Sequence, residues 1–185
     1  MQAHAIAAVR RFDAAVERRV ERLRSPALDR VFYPLSTAAD HSRLWHGIAA
    51  LDAVRHPARV ADSVRLAAAL GAESLATNVV VKSAFRRVRP DEPTEWAGER
   101  PPYGMRRPIT SSFPSGHAAA AMTAAVLLSA AQPRRAPAAF GLAALVASSR
   151  VYVRMHHASD VLAGAAWGLA FGVGARRVLR RVGGA

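Results

Sequence analysis

The pattern of apolar and polar positions predicts a protein built from α-helices. Five segments have the composition and spacing of helices, and no stretch alternates convincingly between apolar and polar side chains as a strand does. The segments are residues 31–54, 61–88, 115–132, 136–150 and 158–180. The expected fold class is therefore all-α.

The N-terminal residues 1–27 contain a further helix of a different kind, over residues 5–24. Its apolar side chains lie three or four residues apart, and arginine and acidic residues lie between them. The apolar set is Ile6, Val9, Phe12, Val16, Val20 and Leu23. Such an amphipathic helix lies on a surface, which is either the membrane interface or the rest of the domain.

Two stretches are apolar enough to be membrane spans. Between Pro108 and Pro133 the only ionisable side chain is His117, and Leu162–Ala175 contains none. Both are near the short end of the roughly 20 residues that a span needs. We expect a membrane-embedded helical bundle of about five core helices plus the N-terminal amphipathic helix, in one domain of residues 1–185.

The other long segments, 31–54 and 61–88, are less apolar, and the mean hydropathy of the chain is only +0.07. Charged side chains in or beside them should face the bundle interior or the interface. These are Asp40, Arg43, Asp52, Arg65 and Glu73. Proline, glycine and charge predict that Asp91–Arg107 is the longest loop.

The charge narrows the range of partners. Lysine and arginine total 26 against 13 aspartate and glutamate, a net charge of +13, which favours phosphates, acidic headgroups or nucleic acid. Arginine clusters separated by apolar runs fit loops that flank membrane helices. The absence of cysteine excludes disulfides, thiolate chemistry and cysteine zinc sites. The first thirty residues have no apolar signal-peptide core, so a cleaved secretion signal is not expected.

A first candidate phosphate site lies where Lys82 and Arg89 precede Pro90. Seven residues make about two helical turns, so both cations are expected on one helical face, with Pro90 ending the helix. Two cations at a helix end form a phosphate clamp, although basic residues also flank membrane helices for structural reasons.

A second candidate is Pro114-Ser115-Gly116-His117, which precedes an alanine-rich apolar run. Ser115 is a natural N-cap, and Gly116 lets an anion approach the free amides at the positive end of the helix dipole. His117 then lies in the first turn, beside the anion. Taken alone, the pattern also fits an ordinary serine-capped helix.

A third candidate runs from Ser149-Arg150 to His156 and Asp160. Residues four apart stack on one side of a helix, so Asp160 is expected to accept a hydrogen bond from one imidazole nitrogen. The other nitrogen is then free to act as a nucleophile. Arg150 is expected to reach the site from the preceding helix. A capping aspartate beside a surface histidine is the structural alternative.

Taken together, the chain resembles the type 2 phosphatidic acid phosphatase (PAP2) superfamily. Its motifs Lys-x6-Arg-Pro, Pro-Ser-Gly-His and Ser-Arg-x5-His-x3-Asp occur in order within residues 82–160, with every fixed position matched. The resemblance implies a membrane lipid phosphatase that forms a phosphohistidine. Members usually have six core helices, and residues 5–24 are too charged to span, which leaves the substrate entrance undefined.

The resemblance also implies a role for each motif residue. Five would hold the phosphoryl group: Lys82, Arg89, Ser115, Gly116 and Arg150. His156 would attack phosphorus, Asp160 would orient it, and His117 would protonate the leaving oxygen and then activate water. Three cations and a helix N-terminus compensate the phosphoryl charge, so neither metal nor other cofactor is expected. His157 has no assigned role.

Several substrates and two other functions fit part of this pattern. The expected partners are the bilayer and a lipid phosphate or diphosphate, either a polyprenyl diphosphate such as undecaprenyl diphosphate or phosphatidate. A vanadate-dependent haloperoxidase would share the anion pocket, but those enzymes are soluble and larger. A basic nucleic-acid-binding or scaffold protein would explain the charge but not the motifs, so no nucleic-acid partner is expected.

The order of helices and motifs predicts a membrane orientation. All three motifs lie at helix ends that meet on one membrane face. The opposite face receives Arg55, Arg59, Arg134, Arg135 and the arginine-rich C-terminus. The positive-inside tendency assigns that opposite face to the cytoplasm and the active site to the outer face of a bacterial plasma membrane. Further arginines on the catalytic side oppose this assignment: Arg86, Arg87, Arg100, Arg106 and Arg107.

Overall fold

The computed structural model describes residues 2–90 and 110–182, and its regular structure is helical throughout this part of the chain. The α-helices are α1 (Gln2–Leu23), α2 (Pro26–Ala38), α3 (Arg43–Arg55), α4 (Val60–Leu75), α5 (Gly116–Ala131), α6 (Ala136–Tyr152) and α7 (Ala158–Val182). The all-α prediction is confirmed. The predicted loop Asp91–Arg107 lies outside the described residues.

The predicted helix over residues 31–54 is in fact two helices, α2 and α3. Between them Asp40–Ser42 form a short 3-10 turn, in which His41 and Ser42 have φ angles of 53° and 59°. Two successive left-handed residues interrupt the i to i−4 bonding of an α-helix. Because the apolar pattern continues through the turn, hydrophobic periodicity does not reveal the break.

The predicted helix over residues 61–88 is also altered at its end. α4 continues into a π-helical turn, Ala76–Val81, and a 3-10 turn, Lys82–Ala84, after which Phe85 is extended. The helix therefore ends four residues earlier than predicted. The chain from Phe85 to Pro90 has no regular structure.

α5 is the centre of the bundle. It contacts α4, α6 and α7, and its alanines at positions 118–121, 124 and 125 are buried. With 16 residues α5 is about 24 Å long, which is short of the roughly 30 Å hydrocarbon core. In the stretch between Pro108 and Pro133, which was predicted to be a span, α5 is an apolar helix shorter than the two spanning candidates, and its alanines pack closely against three neighbouring helices.

Two longer helices have the length and composition of membrane spans. They are Pro57–Ala84, with 28 residues, and α7, with 25. Only 28% and 33% of their apolar windows are buried inside the protein, so most of this apolar surface faces outward. α7 contains the predicted stretch Leu162–Ala175. In the other helix Glu73 is buried toward the bundle interior, as expected for a charge in a membrane helix.

Glycines bring α7 into direct contact with the backbone of α5. A Cβ atom at Gly164 would lie 2.3 Å from Ser115 O, and one at Gly168 would lie 2.1 Å from Ala119 O. Gly172 continues the stripe one turn later. Small residues at four-residue spacing allow membrane helices to approach this closely. The contact fixes the start of α5 against the start of α7.

α1 packs on the domain through its second half. Asp13 is buried and accepts 2.8 Å hydrogen bonds from the amide and the hydroxyl of Ser159. Val16 and Val20 pack against residues of α5, α6 and α7. Three apolar side chains of the first half are exposed: Ile6, Val9 and Phe12. The packed second half of α1 agrees with the prediction that this helix lies on the rest of the domain. The exposed apolar side chains of the first half are of the kind that suits a membrane interface.

Candidate active site

The three motifs meet at one end of the bundle, around a cavity of about 840 Å³. α4 ends there, α5 begins there, and the turn between α6 and α7 lies against it. The motif residues that line the cavity are Lys82, Arg89, Gly116, His117, Arg150 and His156. Ser115 and Asp160 are fully buried beside it. The structure thus brings all eight predicted site residues together.

Lys82 and Arg89 reach the cavity by different routes. Lys82 lies in the 3-10 turn that ends the fourth helix, whereas Arg89 lies in the irregular chain that follows. The prediction that both project from one helical face is therefore wrong. The Arg89 guanidinium donates to Met155 O at 2.7 Å, and its Nη1 lies 3.3 Å from Nε2 of His156. A tertiary contact, and not helix periodicity, positions this cation.

Arg150 joins the site from the last turn of α6, as predicted. Its side chain is buried and donates a hydrogen bond to Ser36 Oγ of α2. Its backbone carbonyl accepts the amides of Met155 and His156 at 3.0 and 3.1 Å. One residue thus supplies a cation and also shapes the turn that carries His156.

His156 lies in that turn, before the first residue of α7. Its Nδ1 is 2.7 Å from Ser112 O, whereas the nearest carboxylate oxygen of Asp160 is 3.8 Å away. The predicted hydrogen bond to Asp160 is therefore replaced by one to Ser112, because His156 precedes the helix and helical stacking does not apply. A carbonyl oxygen only accepts, so Nδ1 carries the proton and Nε2 keeps its lone pair.

Burial sets the protonation state of His156. The side chain is 2% exposed, and this burial, together with the nearby charges of Arg150 and Arg89, lowers the pKa of His156 to about 3, although Asp160 opposes the shift. The imidazole is therefore neutral at physiological pH. A neutral imidazole with an unprotonated Nε2 is the form that can attack phosphorus, and in this structure that nitrogen faces Nη1 of Arg89.

Asp160 is held by residues that are not among the fixed positions of the three motifs. Arg87 donates to its Oδ1 at 2.6 Å and to Asp13 Oδ2 at 2.5 Å, so one guanidinium joins α1 to α7. The amide of His157 donates to Asp160 Oδ2 at 3.0 Å, and the His157 ring bonds Glu17 at 2.6 Å. Arg87 had been grouped with the membrane-flanking arginines, and only its position two residues before Arg89 hinted at a place in the site.

The start of α5 matches its sequence prediction. Ser115 caps the helix, with its Oγ accepting from the amide of Ala118 at 3.4 Å. A Cβ atom at Gly116 would lie 3.9 Å from Nζ of Lys82 and 3.5 Å from Oδ1 of Asn78. The Lys82 ammonium and the positive end of the α5 dipole therefore act on the same region of the cavity.

His117 has a partner that no sequence pattern indicated. Its Nε2 lies 2.8 Å from Oδ1 of Asp40, which is 77 residues away in the sequence. Burial acts to raise the pKa of Asp40, but the His117 hydrogen bond and the charges of Arg150 and Arg43 outweigh it and lower the pKa below its usual value. Burial and the charge of Arg150 lower the pKa of His117 to about 4, and the ionised Asp40 carboxylate opposes this shift by favouring the protonated ring. The left-handed turn between α2 and α3 is what directs Asp40 here.

Replacing Asp40 with asparagine tests this pairing. We expect phosphate release to fall about 10²-fold, which is the lower end of a general acid–base contribution. Because a neutral amide no longer stabilises the imidazolium, the alkaline limb of the pH–rate profile should move to lower pH. Asp62→Asn, whose carboxylate pairs with Arg65 at the other end of the bundle, is the matched control. An unchanged pH profile in Asp40→Asn would contradict the pairing.

Glu73 adds a buried carboxylate to the cavity wall. It accepts a hydrogen bond from Thr77 Oγ1 at 2.5 Å, and Thr77 accepts one from Trp167 Nε1 at 2.8 Å. This chain links α4 to α7 inside the bundle. Asn78 lines the cavity one helical turn after Ser74, to which its amide donates.

Comparison with known proteins identifies the family of this chain. The sequence profile of the PAP2 superfamily matches residues 62–183. A decaprenylphosphoryl-5-phosphoribose phosphatase from Mycolicibacterium smegmatis is 35% identical over 133 residues, covering 70% of this chain and 67% of the relative. The protein of the same name from Mycobacterium tuberculosis is 33% identical over 139 residues, covering 75% and 73%.

Two solved structures share the fold. A transmembrane PAP2-type phosphatidylglycerolphosphate phosphatase from Bacillus subtilis superposes with a TM-score of 0.73 at 24% identity, covering 95% of this chain and 88% of that one. Aquifex aeolicus LpxE superposes with a TM-score of 0.69 at 22% identity, covering 89% and 94%. Two described helices of this chain are long and apolar enough to cross a membrane, and the fold is that of a transmembrane PAP2-type phosphatase. The chain belongs to the PAP2 superfamily and is a phosphate ester hydrolase of the lipid phosphatase class.

Proposed function

We propose that this protein removes phosphate from a lipid through a phosphohistidine intermediate on His156. The observation that carries the proposal is that His156 and His117 line one cavity together with Lys82, Arg89 and Arg150. Displacement at phosphorus needs an attacking group, a proton for the leaving oxygen and compensation of negative charge. Two imidazoles and three cations in one cavity supply all three.

In the first half-reaction, the Nε2 lone pair of His156 forms a bond to phosphorus while the bond from phosphorus to the leaving oxygen breaks. Protonated His117 donates its proton to that oxygen, and the lipid alcohol departs. The Asp40 carboxylate raises the pKa of His117 against the effect of burial, and so favours the protonated form that this transfer requires. The positive charge that develops on the His156 ring is stabilised by the Asp160 carboxylate, 3.8 Å from Nδ1.

In the second half-reaction, water replaces the imidazole on phosphorus. Neutral His117 accepts a proton from the water as its oxygen attacks, the nitrogen–phosphorus bond breaks, and its electron pair returns to His156. Inorganic phosphate leaves, and both histidines regain their starting protonation states. Lys82, Arg89 and Arg150, with Ser115 and the amide of Gly116, hold the phosphoryl oxygens through both steps.

We infer that the substrate carries a hydroxyl-rich headgroup on a polyprenyl tail. The relatives from two mycobacterial species are named for a polyprenyl-linked phosphoribose. In this chain Glu73 and Asn78 line the cavity with hydrogen-bonding groups. A buried carboxyl group and an amide can exchange hydrogen bonds with sugar hydroxyls. We therefore favour a polyprenyl-linked phosphosugar, whose sugar carries the phosphate monoester to be removed, over undecaprenyl diphosphate or phosphatidate.

The proposal includes a location and a domain organisation. The arginines of the loops at positions 55, 59, 134 and 135 and those near the end of α7 lie at the bundle end opposite the cavity, whereas Arg86 and Arg87 lie on the cavity side. On the positive-inside tendency we propose that the active site lies on the outer face of a bacterial plasma membrane. Residues 1–185 are interpreted as one PAP2-type domain, with the motifs in residues 82–160.

Phosphate release from a lipid panel in detergent tests the substrate and the mechanism together. The panel contains decaprenylphosphoryl-5-phosphoribose, undecaprenyl diphosphate and phosphatidate. We expect the highest kcat/KM on the phosphoribose lipid, and full activity in a chelator, because protein cations compensate the phosphoryl charge. Equal rates across the panel would contradict the headgroup assignment. An absolute requirement for added metal would contradict the mechanism.

A further inference from the structure

A second cavity lies at the end of the bundle opposite the candidate active site. It has a volume of about 330 Å³ and is formed by α3, α4, α5 and α7. Four leucines give it an apolar wall: Leu66, Leu127, Leu128 and Leu179. Two arginines of α7, Arg176 and Arg180, also line it. The described residues around it include no histidine, so this cavity has no counterpart of the proposed nucleophile.

The arginines of α7 differ from the other charges at this end. The Asp52 carboxylate is already paired, since it accepts hydrogen bonds from Arg135 at 2.8 Å and from Gln132 at 3.0 Å. Within the described chain, no carboxylate pairs with Arg176 or Arg180. Their four-residue spacing puts them on one face of α7. Asp62, which also lines the cavity, is paired with Arg65 at 3.0 Å. Among the described residues, Arg176 and Arg180 are therefore left at the mouth of the cavity without a carboxylate partner, beside an apolar wall.

We propose that this cavity binds an anionic phospholipid of the leaflet opposite the active site. A guanidinium binds a phosphodiester through charge-assisted hydrogen bonds, and two of them four residues apart can share one headgroup. The leucine wall provides contact for an acyl chain, which a soluble anion does not have. Basic pockets between membrane helices at the membrane boundary commonly bind acidic headgroups. The cavity thus holds lipid without hydrolysing it.

Thermal unfolding in mixed micelles tests the proposal, with phosphatidylglycerol compared with phosphatidylcholine of the same acyl chains. We expect phosphatidylglycerol, at ten times its half-saturating concentration, to raise the Tm of the wild type by about 3–6 °C. In the Arg176→Gln, Arg180→Gln double variant the half-saturating concentration should rise at least about tenfold. Phosphate release by this variant, measured in parallel, reports that it is folded.

The Arg177→Gln, Arg181→Gln double variant is the matched control. It removes the same charge from the same helix, at positions that do not line the cavity. We expect it to respond to phosphatidylglycerol as the wild type does. Equal loss of response in both double variants, or no response in the wild type, would overturn the proposal. Glycerol 1-phosphate, a soluble anion, should stabilise both double variants equally. If its stabilising effect were lost only in Arg176→Gln, Arg180→Gln, the ligand of the cavity would be a soluble anion and not a lipid.

Discussion

Phosphate release is expected to fall by about four orders of magnitude or more when His156 is replaced by alanine. The buried neutral imidazole, with Nδ1 bonded to Ser112 O, presents Nε2 as the attacking atom. Alanine removes that atom and leaves the three cations in place. Binding of a substrate lipid should therefore persist while turnover is lost. A lipid-binding assay beside the phosphate-release assay separates these two effects.

His157→Ala is the matched control for this change. His157 is the neighbouring histidine, but its ring bonds Glu17 of α1. We expect His157→Ala to keep most of the activity. A phosphorylated protein trapped in alkali from labelled substrate should carry the label on His156. Label elsewhere, or similar losses in the two variants, would show that His156 is not the nucleophile.

The largest effect on stability is expected from Gly168→Ala. A Cβ atom there would lie 2.1 Å from the carbonyl oxygen of Ala119, and backbone cannot move aside as a flexible side chain can. We expect α7 to shift away from α5, with a loss of about 3 kcal/mol in the free energy of unfolding. The same shift would disturb the 3.0 Å bond from the Ser115 amide to Asp160 O, so activity should fall as well.

Gly174→Ala tests whether packing causes this loss. A Cβ atom at Gly174 has no neighbour within 4 Å, so alanine there should stabilise the helix by up to about 1 kcal/mol through its better helix propensity. Thermal unfolding of the two variants in one detergent is the measurement. We expect the Tm to fall in Gly168→Ala and to rise in Gly174→Ala. A Tm for Gly168→Ala equal to that of the wild type would show that the helices are not in contact at this point.

Features that depend on neighbouring residues could be predicted from the sequence. Ser115 caps α5 because capping involves residues three positions apart, and the phosphate-site residues were recognised from their spacing. The end of the fourth helix could not be predicted in this way. The residues after Ala84 have no strong helix breaker before Pro90, but Arg87 and Arg89 bind partners on α1, on α7 and in the turn before α7. These distant partners require an extended chain.

Contacts between residues that are far apart in the sequence also could not be predicted from it. The bond between Asp40 and His117 joins residues 77 apart, and it depends on a left-handed turn that interrupts an otherwise continuous apolar pattern. The glycines of α7 are visible in the sequence, but their partner helix is not. The apolar character of α5 has two explanations, a membrane span or a packed interior, and only its position among its neighbours distinguishes them.

The bond network of Asp13 has a consequence for biosynthesis. α1 leaves the ribosome before the other described helices, but the buried carboxylate of Asp13 binds the amide and hydroxyl of Ser159, which lies 146 residues later in the chain. Until then Arg87 also lacks Asp160, its second carboxylate. A nascent chain that ends before α7 therefore contains the three cations and both histidines of the site but lacks the Asp160 carboxylate. The site is complete only after α7 has joined the bundle.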